Sequence, residues 1–431
     1  MKKISLKTLL VGLLLLSMSS APALANPNLF IPPLLRQNHA YNPNAITAAQ
    51  GANDFAFALT TALLENVEDE NFVVSPYSLW LPVAALMNAT HETHRPALME
   101  AIGAVGLQPA DLNHAVSRML FDLTNEGNRR AELGFLEDNP LHIANAVFVD
   151  SRHTLNPGFV SVFADFFQGE AQNVDFAAPD TVEIINQWAY DNTYGQIGSI
   201  VSELCPNTVA AIINAIYFSD NWIDPFRRQN TRRDVFHAPG GEVYAYFMRR
   251  EWDYTRYFED AYMQSVTLGF PTGGGMTIML PKDGDAVGLL SGMTRTQFDD
   301  IFTNAVSARG SLLLPRFSIE STLCDLQAAL ETLGLSPLFD RGVAPLTGLI
   351  THPAPCYISK ITQRAMIKVD EEGATAAAVT AMLSAPIVGP PRPETVTTFE
   401  MVCDRPFAFV LHRRTQDGGR QVLFTGVVNQ P

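Results

Sequence analysis

The order of apolar and polar positions predicts helices early in the chain and long strands later. From Ala45 to Leu64 the apolar residues recur at helical spacing, which predicts an amphipathic helix. The run NFVVSP (71–76) predicts a short buried strand that ends at a proline. SLWLPVAALMN (78–88) then predicts a second helix with Ser78 as its cap.

Runs typical of strands make up much of the remaining chain. They lie at 142–150, 209–218, 264–270, 276–281, 311–321, 365–371, 407–414 and 421–428. PTGGG (271–275) separates two of them and predicts a glycine-rich hairpin connection. Because these runs follow one another with few helices between them, the predicted class is α+β: a mostly helical first half with large mixed or antiparallel sheets.

The amino terminus has the pattern of a cleavable secretory signal. Lys2, Lys3 and Lys7 precede the apolar run 9–18, and an Ala-x-Ala site ends at Ala25. The apolar run is about half as long as a membrane span. We therefore predict a signal peptide at 1–25, an irregular extension at 26–44 and a single domain at 45–431. The lysine-led signal is typical of bacteria, so we expect a soluble protein exported to the periplasm or the extracellular medium.

The charge of the chain argues against two classes of partner. The formal net charge is −15 over 431 residues. Nucleic acids and anionic membrane surfaces are bound by clustered lysine and arginine, so neither is an expected partner. We expect a monomer that needs no cofactor.

Patterns of catalytic and metal sites are not found in the sequence. Neither G-x-S-x-G nor G-x-x-x-x-G-K-[ST] is present, and the two histidines of HETH (91–94) are three apart, whereas a zinc-protease helix needs four. The glycines at 273–275 join two strands without a following helix, so they do not predict a phosphate site. The protein is not expected to be an enzyme or to bind a metal.

The four cysteines leave their redox state open. They are Cys205, Cys324, Cys356 and Cys403, with no C-x-x-C spacing. In an oxidising compartment they can form up to two disulfides in any of three pairings. Buried free thiols are an equally good interpretation, because a core of this size does not need covalent links.

Four segments, in this order, resemble the serpin family over nearly the whole mature chain. They are NFVVSPYSL (71–79) with Ser75 and Ser78, IINAIYFSDNWIDPF (212–226) with Asn214 and Trp222, LLLPRFSIE (312–320), and DRPFAFVLHRR with the terminal VLFTGVVNQP (404–431). The resemblance implies a serpin-like fold, with an exposed reactive-centre loop at about 371–398.

The resemblance also implies a mechanism for that loop. A protease cleaves it and is held as an acyl-enzyme while the freed segment inserts into the main sheet as a strand. A strand entering a packed sheet needs small, uncharged side chains and no proline, and the chain meets this from Ala374 to Ala381. The predicted hinge is Glu371, Glu372, Gly373, Ala374, Thr375, Ala376, Ala377, Ala378 and Val379, with a positive φ allowed at the glycine. By propensity alone the alanines favour a helix, which stays open as the conformation before cleavage.

Counting from the hinge glutamate places the reactive bond. In inhibitory serpins the scissile residue usually lies sixteen positions beyond it, which predicts cleavage between Ile387 and Val388. Arg392 is the second choice, because Pro393 follows it and an imide bond is a poor protease substrate. The aliphatic Ile387 favours an elastase-like or subtilisin-like serine protease, with a cysteine protease as a further option. The alternatives are a non-inhibitory serpin with a binding or chaperone-like role, and a chain that is only a protease substrate.

The family resemblance also implies a region that controls opening of the sheet. Its residues are Ser75, Ser78, Asn214, Trp222, Arg316 and Gln363. Arg316 is expected to pair with Glu371, and a Glu371→Lys variant is expected to insert or polymerise more readily. Gln363 stands where the family usually has histidine, so a hydrogen bond to Asn214 is expected without sensitivity to pH.

Overall fold

Helices come mostly before residue 193 and strands mostly after it, as the apolar spacing predicts. The computed structural model describes residues 41–132, 141–323, 326–352, 354–374, 396–415 and 417–431, without the side chains of 125–132. The helices are α1 (Pro43–Leu64), α2 (Pro76–Leu86), α3 (Arg95–Ala101), α4 (Pro109–Glu132), α5 (Pro157–Phe167), α6 (Thr181–Asn192), α7 (Ala286–Ser291), α8 (Arg295–Asn304) and α9 (Gln327–Leu330). Short 3₁₀ or π turns lie at Arg228–Asn230, Glu331–Leu335 and Ser336–Leu338.

The strands of the described residues form two large sheets. In chain order they are β1 (Phe72–Val74), β2 (Leu141–Asp150), β3 (Glu170–Val174), β4 (Ala210–Phe218), β5 (Asp220–Asn221), β6 (Arg232–Ala238), β7 (Gly241–Glu259), β8 (Met263–Gly269), β9 (Gly275–Pro281), β10 (Val306–Pro315), β11 (Phe317–Leu323), β12 (Lys360–Val369), β13 (Gly373–Ala374), β14 (Thr397–Val402), β15 (Phe407–Arg414) and β16 (Arg420–Val428). A nine-stranded sheet has the order β1-β16-β15-β9-β8-β7-β10-β14, with β6 paired to β7. A seven-stranded sheet has the order β3-β2-β4-β12-β13-β5, with β11 paired to β12.

The seven-stranded sheet is covered on both faces around β2 and β4, which explains why these two strands are almost continuously apolar. On one face Ile185 and Trp188 of α6 pack against the sheet, with Trp188 edge-on to Phe148 at 5.8 Å between ring centroids. On the other face Val147 and Ile212 belong to the main core, together with most of α2. The mixed α+β architecture predicted from the sequence is confirmed.

The carboxyl-terminal hairpin pairs with a strand from the start of the domain. β1 lies antiparallel to β16, with Phe72 opposite Val427. Just before β1, the Asn71 side-chain oxygen accepts hydrogen bonds from the peptide nitrogens of Asn429 at 2.7 Å and Gln430 at 2.9 Å. The nine-stranded sheet therefore needs both ends of the domain.

The prediction of one strand over 311–321 is wrong, because the chain changes sheets within it. β10 belongs to the nine-stranded sheet and β11 to the seven-stranded sheet, and Arg316 lies between them. Leu314 and Pro315 are both buried, so the alternation of inward and outward side chains restarts at this point. The two strands bury opposite sets of alternating residues, and a single residue joins them. In the sequence they therefore form one long apolar run, which predicts a single strand.

Two local predictions have different outcomes. The hairpin connection at 271–275 is confirmed, and Gly273 and Gly274 adopt φ values of 92° and 88°, which favour glycine. Ser78 is not a helix cap, because α2 begins at Pro76 and Ser75 occupies the cap position. The Ser75 hydroxyl donates instead to the Leu423 carbonyl at 2.7 Å, away from the helix. In the described part of the chain, no helix combines the length and the apolar character that a membrane span requires.

Candidate functional site

A row of amide side chains crosses the middle of the seven-stranded sheet. Asn145 on β2, Asn214 on β4 and Gln363 on β12 lie side by side in the strand register. They face the start of α2, which brings Ser75 and Ser78 against them. Every one of these side chains is at most 2% exposed. We call these residues the sheet-centre cluster.

Gln363 is the most connected member of the sheet-centre cluster. Its amide nitrogen donates to the Asn214 side-chain oxygen at 2.6 Å and to the Ser75 carbonyl at 2.9 Å, and lies 3.1 Å from the Ser78 hydroxyl. Its side-chain oxygen accepts from the Ser75 peptide nitrogen at 2.9 Å. The hydrogen bond between Gln363 and Asn214 that the sequence predicts is therefore present. Because Gln363 and Asn214 stand on neighbouring strands, separating those strands breaks this bond.

Asn214 links the cluster to the next strand as well. Its amide nitrogen donates to the Asn145 side-chain oxygen at 2.6 Å and to the Ser78 carbonyl at 3.1 Å. The Ser78 hydroxyl donates to the Asn214 side-chain oxygen at 2.8 Å. Buried polar groups cost free energy unless they are hydrogen-bonded, and here they bond to one another across three strands and a helix.

A second polar cluster lies where the chain leaves β12. Glu371 is 3% exposed, and one of its carboxylate oxygens accepts hydrogen bonds from the Arg316 guanidinium at 2.6 and 3.1 Å. The same oxygen accepts from the Thr231 hydroxyl at 2.5 Å. We call Thr231, Arg316 and Glu371 the hinge-base cluster. The pairing of Arg316 with Glu371 that the family resemblance implies is present in the structure.

The hinge-base cluster keeps Glu371 ionised. Burial by itself raises the pKa of this carboxyl group, but the hydrogen bonds from Arg316 and Thr231 outweigh burial and lower its pKa below the usual value. The pKa of Arg316 is raised in turn, first by the hydrogen bond to Glu371. Arg316 is 43% exposed, so the pair joins a buried carboxylate to a cation in contact with water.

Backbone hydrogen bonds hold the residues around Glu371 from the side of β5. The Trp222 indole nitrogen donates to the Asp370 carbonyl at 2.9 Å, and the Trp222 peptide nitrogen donates to the Glu372 carbonyl at 2.8 Å. The Phe226 peptide nitrogen donates to the Glu371 carbonyl at 2.8 Å. Trp222 itself is 3% exposed and stacks on Phe270. The start of the predicted hinge is therefore anchored by three hydrogen bonds to its backbone carbonyls.

Gly373 and Ala374 form β13 between the end of β12 and the short strand β5. Ala374 lies opposite Val369 on one side and Asp220 on the other, and it is fully buried. The sequence predicts that position 373 is glycine because the hinge allows a positive φ there. This explanation is wrong, because the φ of Gly373 lies outside the left-handed region. The reason is close packing: a Cβ at Gly373 would lie 2.2 Å from the Asp220 carbonyl oxygen.

Below β13 the strands β4 and β12 pair directly with each other. Seven residues of each strand are in parallel register, from Lys360 opposite Ala211 to Met366 opposite Tyr217. β13 therefore occupies only the upper end of the position between these strands. The sheet-centre cluster lies in the middle of the directly paired stretch.

Several predicted residues lie outside the described part of the chain. They are the hinge residues Thr375, Ala376, Ala377, Ala378 and Val379, the reactive-bond residues Ile387 and Val388, and Arg392. Cys324 and the signal peptide also lie outside it. The other three cysteines, Cys205, Cys356 and Cys403, carry free thiols, and burial raises the pKa of Cys356 to about 12.

Sequence reasoning missed Asn145, Thr231 and Asp220. Asn145 had a usable signal, since it is an amide within the apolar run HIANAVFVD, just as Asn214 is within AIINAIYF. Thr231 lies 140 residues from Glu371, and nothing in its local pattern relates the two. Asp220 limits the space at Gly373 through its backbone carbonyl, a group that every residue type has.

Comparisons with known proteins agree on one family. A family model described as Serpin (serine protease inhibitor) matches residues 50–431. The chain is 30% identical over 395 residues to Iripin-2 of Ixodes ricinus, covering 88% of this chain and 92% of that protein. It is also 30% identical over 294 residues to an uncharacterized serpin-like protein of Thermococcus kodakarensis, covering 68% of this chain and 66% of that protein. The crystal structure of Serpin48 of Tenebrio molitor has the same fold, with a TM-score of 0.74 and 24% identity over 90% of this chain and 98% of that one.

Proposed function

The chain belongs to the serpin family, and we propose that it inhibits a protease by acting as a suicide substrate. The observation that carries the proposal is the state of the seven-stranded sheet. β4 and β12 pair directly, while Gly373 and Ala374 already occupy the upper end of the position between them. The sheet thus has a defined entry point for one more strand and has not yet taken it up along 360–366.

Adding a strand at this position is favourable for physical reasons. A segment that continues from β13 runs antiparallel to both β4 and β12, and antiparallel ladders provide slightly more stability per residue than parallel ones. The insertion replaces one parallel ladder with two antiparallel ladders, so the number of main-chain hydrogen bonds rises. The eleven proline-free residues from Thr375 to Ala385 span about 36 Å as a strand, which exceeds the length of the ten-residue β12.

The proposed reaction involves one covalent exchange. The nucleophile of the protease attacks the carbonyl carbon of Ile387, and the amide bond to Val388 breaks. Val388 leaves with a free amino group, and Ile387 stays attached to the protease through an ester or, for a cysteine protease, a thioester. Insertion then carries the bound protease away from the hinge-base cluster before water can hydrolyse the link.

A denaturing gel tests the proposal directly. The mature protein is incubated with elastase-like, subtilisin-like, trypsin-like and papain-like proteases. We expect a stable covalent adduct with a protease that has an aliphatic pocket. Cleavage without an adduct supports the substrate alternative, and no reaction supports a non-inhibitory binding role. The mass of the released carboxyl-terminal peptide locates the bond: a peptide starting at Val388 is expected, and one starting at Pro393 overturns the assignment to Ile387.

A matched pair of variants tests the insertion step. Ala376 shares the alternation phase of the fully buried Ala374, whereas Ala377 has the opposite phase. An Ala376→Arg variant places a charge on the inward face, so we expect cleavage at the same bond with little or no adduct. The Ala377→Arg control points to the other face and is expected to retain more adduct. Equal adduct yields from the two variants contradict the proposed register.

We also propose that the protein is exported and cleaved after Ala25. The support is the basic start, the short apolar run and the Ala-x-Ala site. Expression in a bacterial host, followed by mass measurement of the protein in the cytoplasmic, periplasmic and medium fractions, tests this. A chain starting at Asn26 is expected, and an uncleaved chain in the cytoplasmic fraction contradicts the proposal.

A further inference from the structure

Arginine and tyrosine side chains cover the outer face of β6 and β7. Tyr244 and Tyr246 are 67% and 55% exposed, so more than half of each side chain is accessible to a partner. Arg233 stands opposite Tyr246 in the β6–β7 register, and its guanidinium lies 4.5 Å from the ring centroid of Tyr244. The Arg316 guanidinium lies 5.5 Å from the ring centroid of Tyr246. We call Arg233, Tyr244, Tyr246 and Arg316 the arginine–tyrosine surface.

The charge of this region differs in sign from that of the whole protein. Residues 227–256 contain seven arginines against four carboxylates, in a chain with a net charge of −15. Three of the four carboxylates have basic partners nearby: Glu242 lies 3.7 Å from His237, Glu251 lies 3.1 Å from Arg249, and Asp253 lies 3.8 Å from Arg309. Within the described residues, Arg233 forms no ion pair. The arginine–tyrosine surface is therefore basic and has an arginine available for an acidic partner.

The arginine–tyrosine surface is continuous with the segments that flank the reactive loop. Arg316 belongs to it and also holds Glu371 at the start of the hinge, and the Arg316 peptide nitrogen donates to the Tyr246 carbonyl at 2.8 Å. Farther along β7, Thr255 pairs with Ala308 of β10, which pairs with Thr397 at the start of β14. The strand that carries both tyrosines is thus connected to the chain on either side of the loop.

We propose that the arginine–tyrosine surface is a second contact surface for the target protease, and that it favours a protease with acidic residues beside its active-site cleft. This inference rests on the proposed function, because the protease reaches the surface only while it is bound to the loop. Tyrosine and arginine, together with tryptophan, are the residue types that most often dominate interface energetics. A guanidinium stacked on an aromatic ring keeps its N–H edge directed outward, where it can pair with a carboxylate in two parallel hydrogen bonds.

The experiment compares two charge forms of one protease. The probe is a subtilisin-type protease in its native form and in a succinylated form, whose lysines have become carboxylates. The second-order rate constant of inhibition is measured for each form at low salt and normalised to hydrolysis of a neutral peptide substrate. For the wild-type chain we expect the succinylated form to be inhibited about tenfold faster, because local charge complementarity increases the association rate.

Matched variants assign that increase to the surface. The ratio of the two rate constants, succinylated over native, is expected to fall close to one for Arg233→Ala and for the double variant Tyr244→Ala/Tyr246→Ala. Arg233→Lys is expected to keep much of the wild-type ratio. Arg341→Ala removes the same charge from an exposed turn and is expected to leave the ratio unchanged. Unfolding midpoints confirm that each variant is folded. Equal ratios in the wild type and the Arg233→Ala variant, with adducts formed, overturn this inference alone. Absence of an adduct from the wild type overturns the proposed function and this inference together.

Discussion

The sheet-centre cluster and the hinge-base cluster both lie against β12, but they are built from different chemistry. At the sheet centre, Gln363 and Asn214 are fully buried and uncharged, and they bond to serines that are equally buried. At the hinge base, a buried carboxylate pairs with Arg316, which is 43% exposed. The first cluster resists separation of the strands through groups that lose their partners without reaching water. The second holds the chain through a charge pair that water and protons can reach.

The two clusters therefore control different steps of the proposed insertion. Opening the sheet at its upper end changes contacts of Glu371, whereas opening its middle breaks the bonds of Gln363 and Asn214. Neutral buried bonds are insensitive to pH and salt, and charge pairs near water are sensitive to both. We expect substitutions in the middle of the sheet to cost more stability, and those at the hinge base to respond more to conditions.

The largest effect is expected for Gln363→Leu. The substitution keeps a side chain of similar size but leaves the Ser75 peptide group and the Asn214 oxygen without their partner, so the free energy of unfolding should fall by about 3 kcal/mol. Urea unfolding of the native state measures the change. The control is Gln187→Leu on the exposed face of α6, with an expected change within about 0.5 kcal/mol. Similar costs for both variants would contradict the stabilising role assigned to the sheet-centre cluster.

A smaller cost is expected for Gly373→Ala, which acts on the hinge without touching a charge. The added Cβ would lie 2.2 Å from the Asp220 carbonyl oxygen, so β13 must move away from β5. Overpacking of this kind costs about 2 kcal/mol in the free energy of unfolding. Gly240→Ala is the matched control, because its Cβ would meet nothing within 4 Å. If the two variants unfold at the same urea concentration, close packing does not explain the glycine at 373.

Next in size is Glu371→Gln, which removes the charge and keeps the shape. We expect a loss of about 1 kcal/mol at neutral pH, discounted because Arg316 is half-exposed and screened by water. Thermal or urea unfolding measures it. Glu242→Gln, at an exposed pair with His237, serves as the control and should show no measurable change. If Glu371→Gln lowered the free energy of unfolding as much as Gln363→Leu does, the charge pair would stabilise the protein as strongly as the sheet-centre cluster, contrary to this prediction.

The smallest and most specific effect concerns pH. The pKa of Glu371 is lowered in the folded state, so its ionised form contributes stability that is complete above the unfolded pKa of about 4.5 and is lost as the pH falls through the folded value. The difference between the wild type and Glu371→Gln should therefore shrink below pH of about 4.5, while the difference between the wild type and Gln363→Leu stays constant. Urea unfolding curves of the wild type and both variants are measured between pH 7 and pH 3. The differences in the free energy of unfolding at each pH check both statements. A constant difference for Glu371→Gln contradicts the assigned role of its charge.

The sequence predicts those parts of the fold in which local pattern and tertiary contact agree. The connection at 271–275 has a glycine-rich turn sequence and an apolar run on each side, and these two features together predict the hairpin. The strand change at Arg316 was not recognised, because Pro315 and Leu314 are buried in succession and the apolar run continues through the break. The spacing of apolar residues indicates which residues are buried, but it does not indicate to which sheet they belong.

The candidate site was predictable where a polar residue interrupts an apolar strand or where family resemblance marks it. Asn214 and Gln363 are such residues, and they meet as expected. The contribution of Thr231 to Glu371 and that of the Asp220 carbonyl to Gly373 depend on contacts between segments far apart in the chain. Such contacts leave no local pattern, so they are visible only in three dimensions.

The pairing of β1 with β16 has a consequence for how the protein is made. Asn71 and Asn429 are 358 residues apart, and their hydrogen bond lies beside the pairing of β1 with β16 at one edge of the nine-stranded sheet. At ribosomal rates of 5 to 20 residues per second, β1 waits about 20 to 70 s after its own synthesis for its partner. During that time its edge and the apolar groups beneath it have no native cover. Newly made chains of this protein are therefore expected to depend on a chaperone that binds exposed apolar strands, and a carboxyl-terminal truncation before Arg420 is expected to remain bound to it.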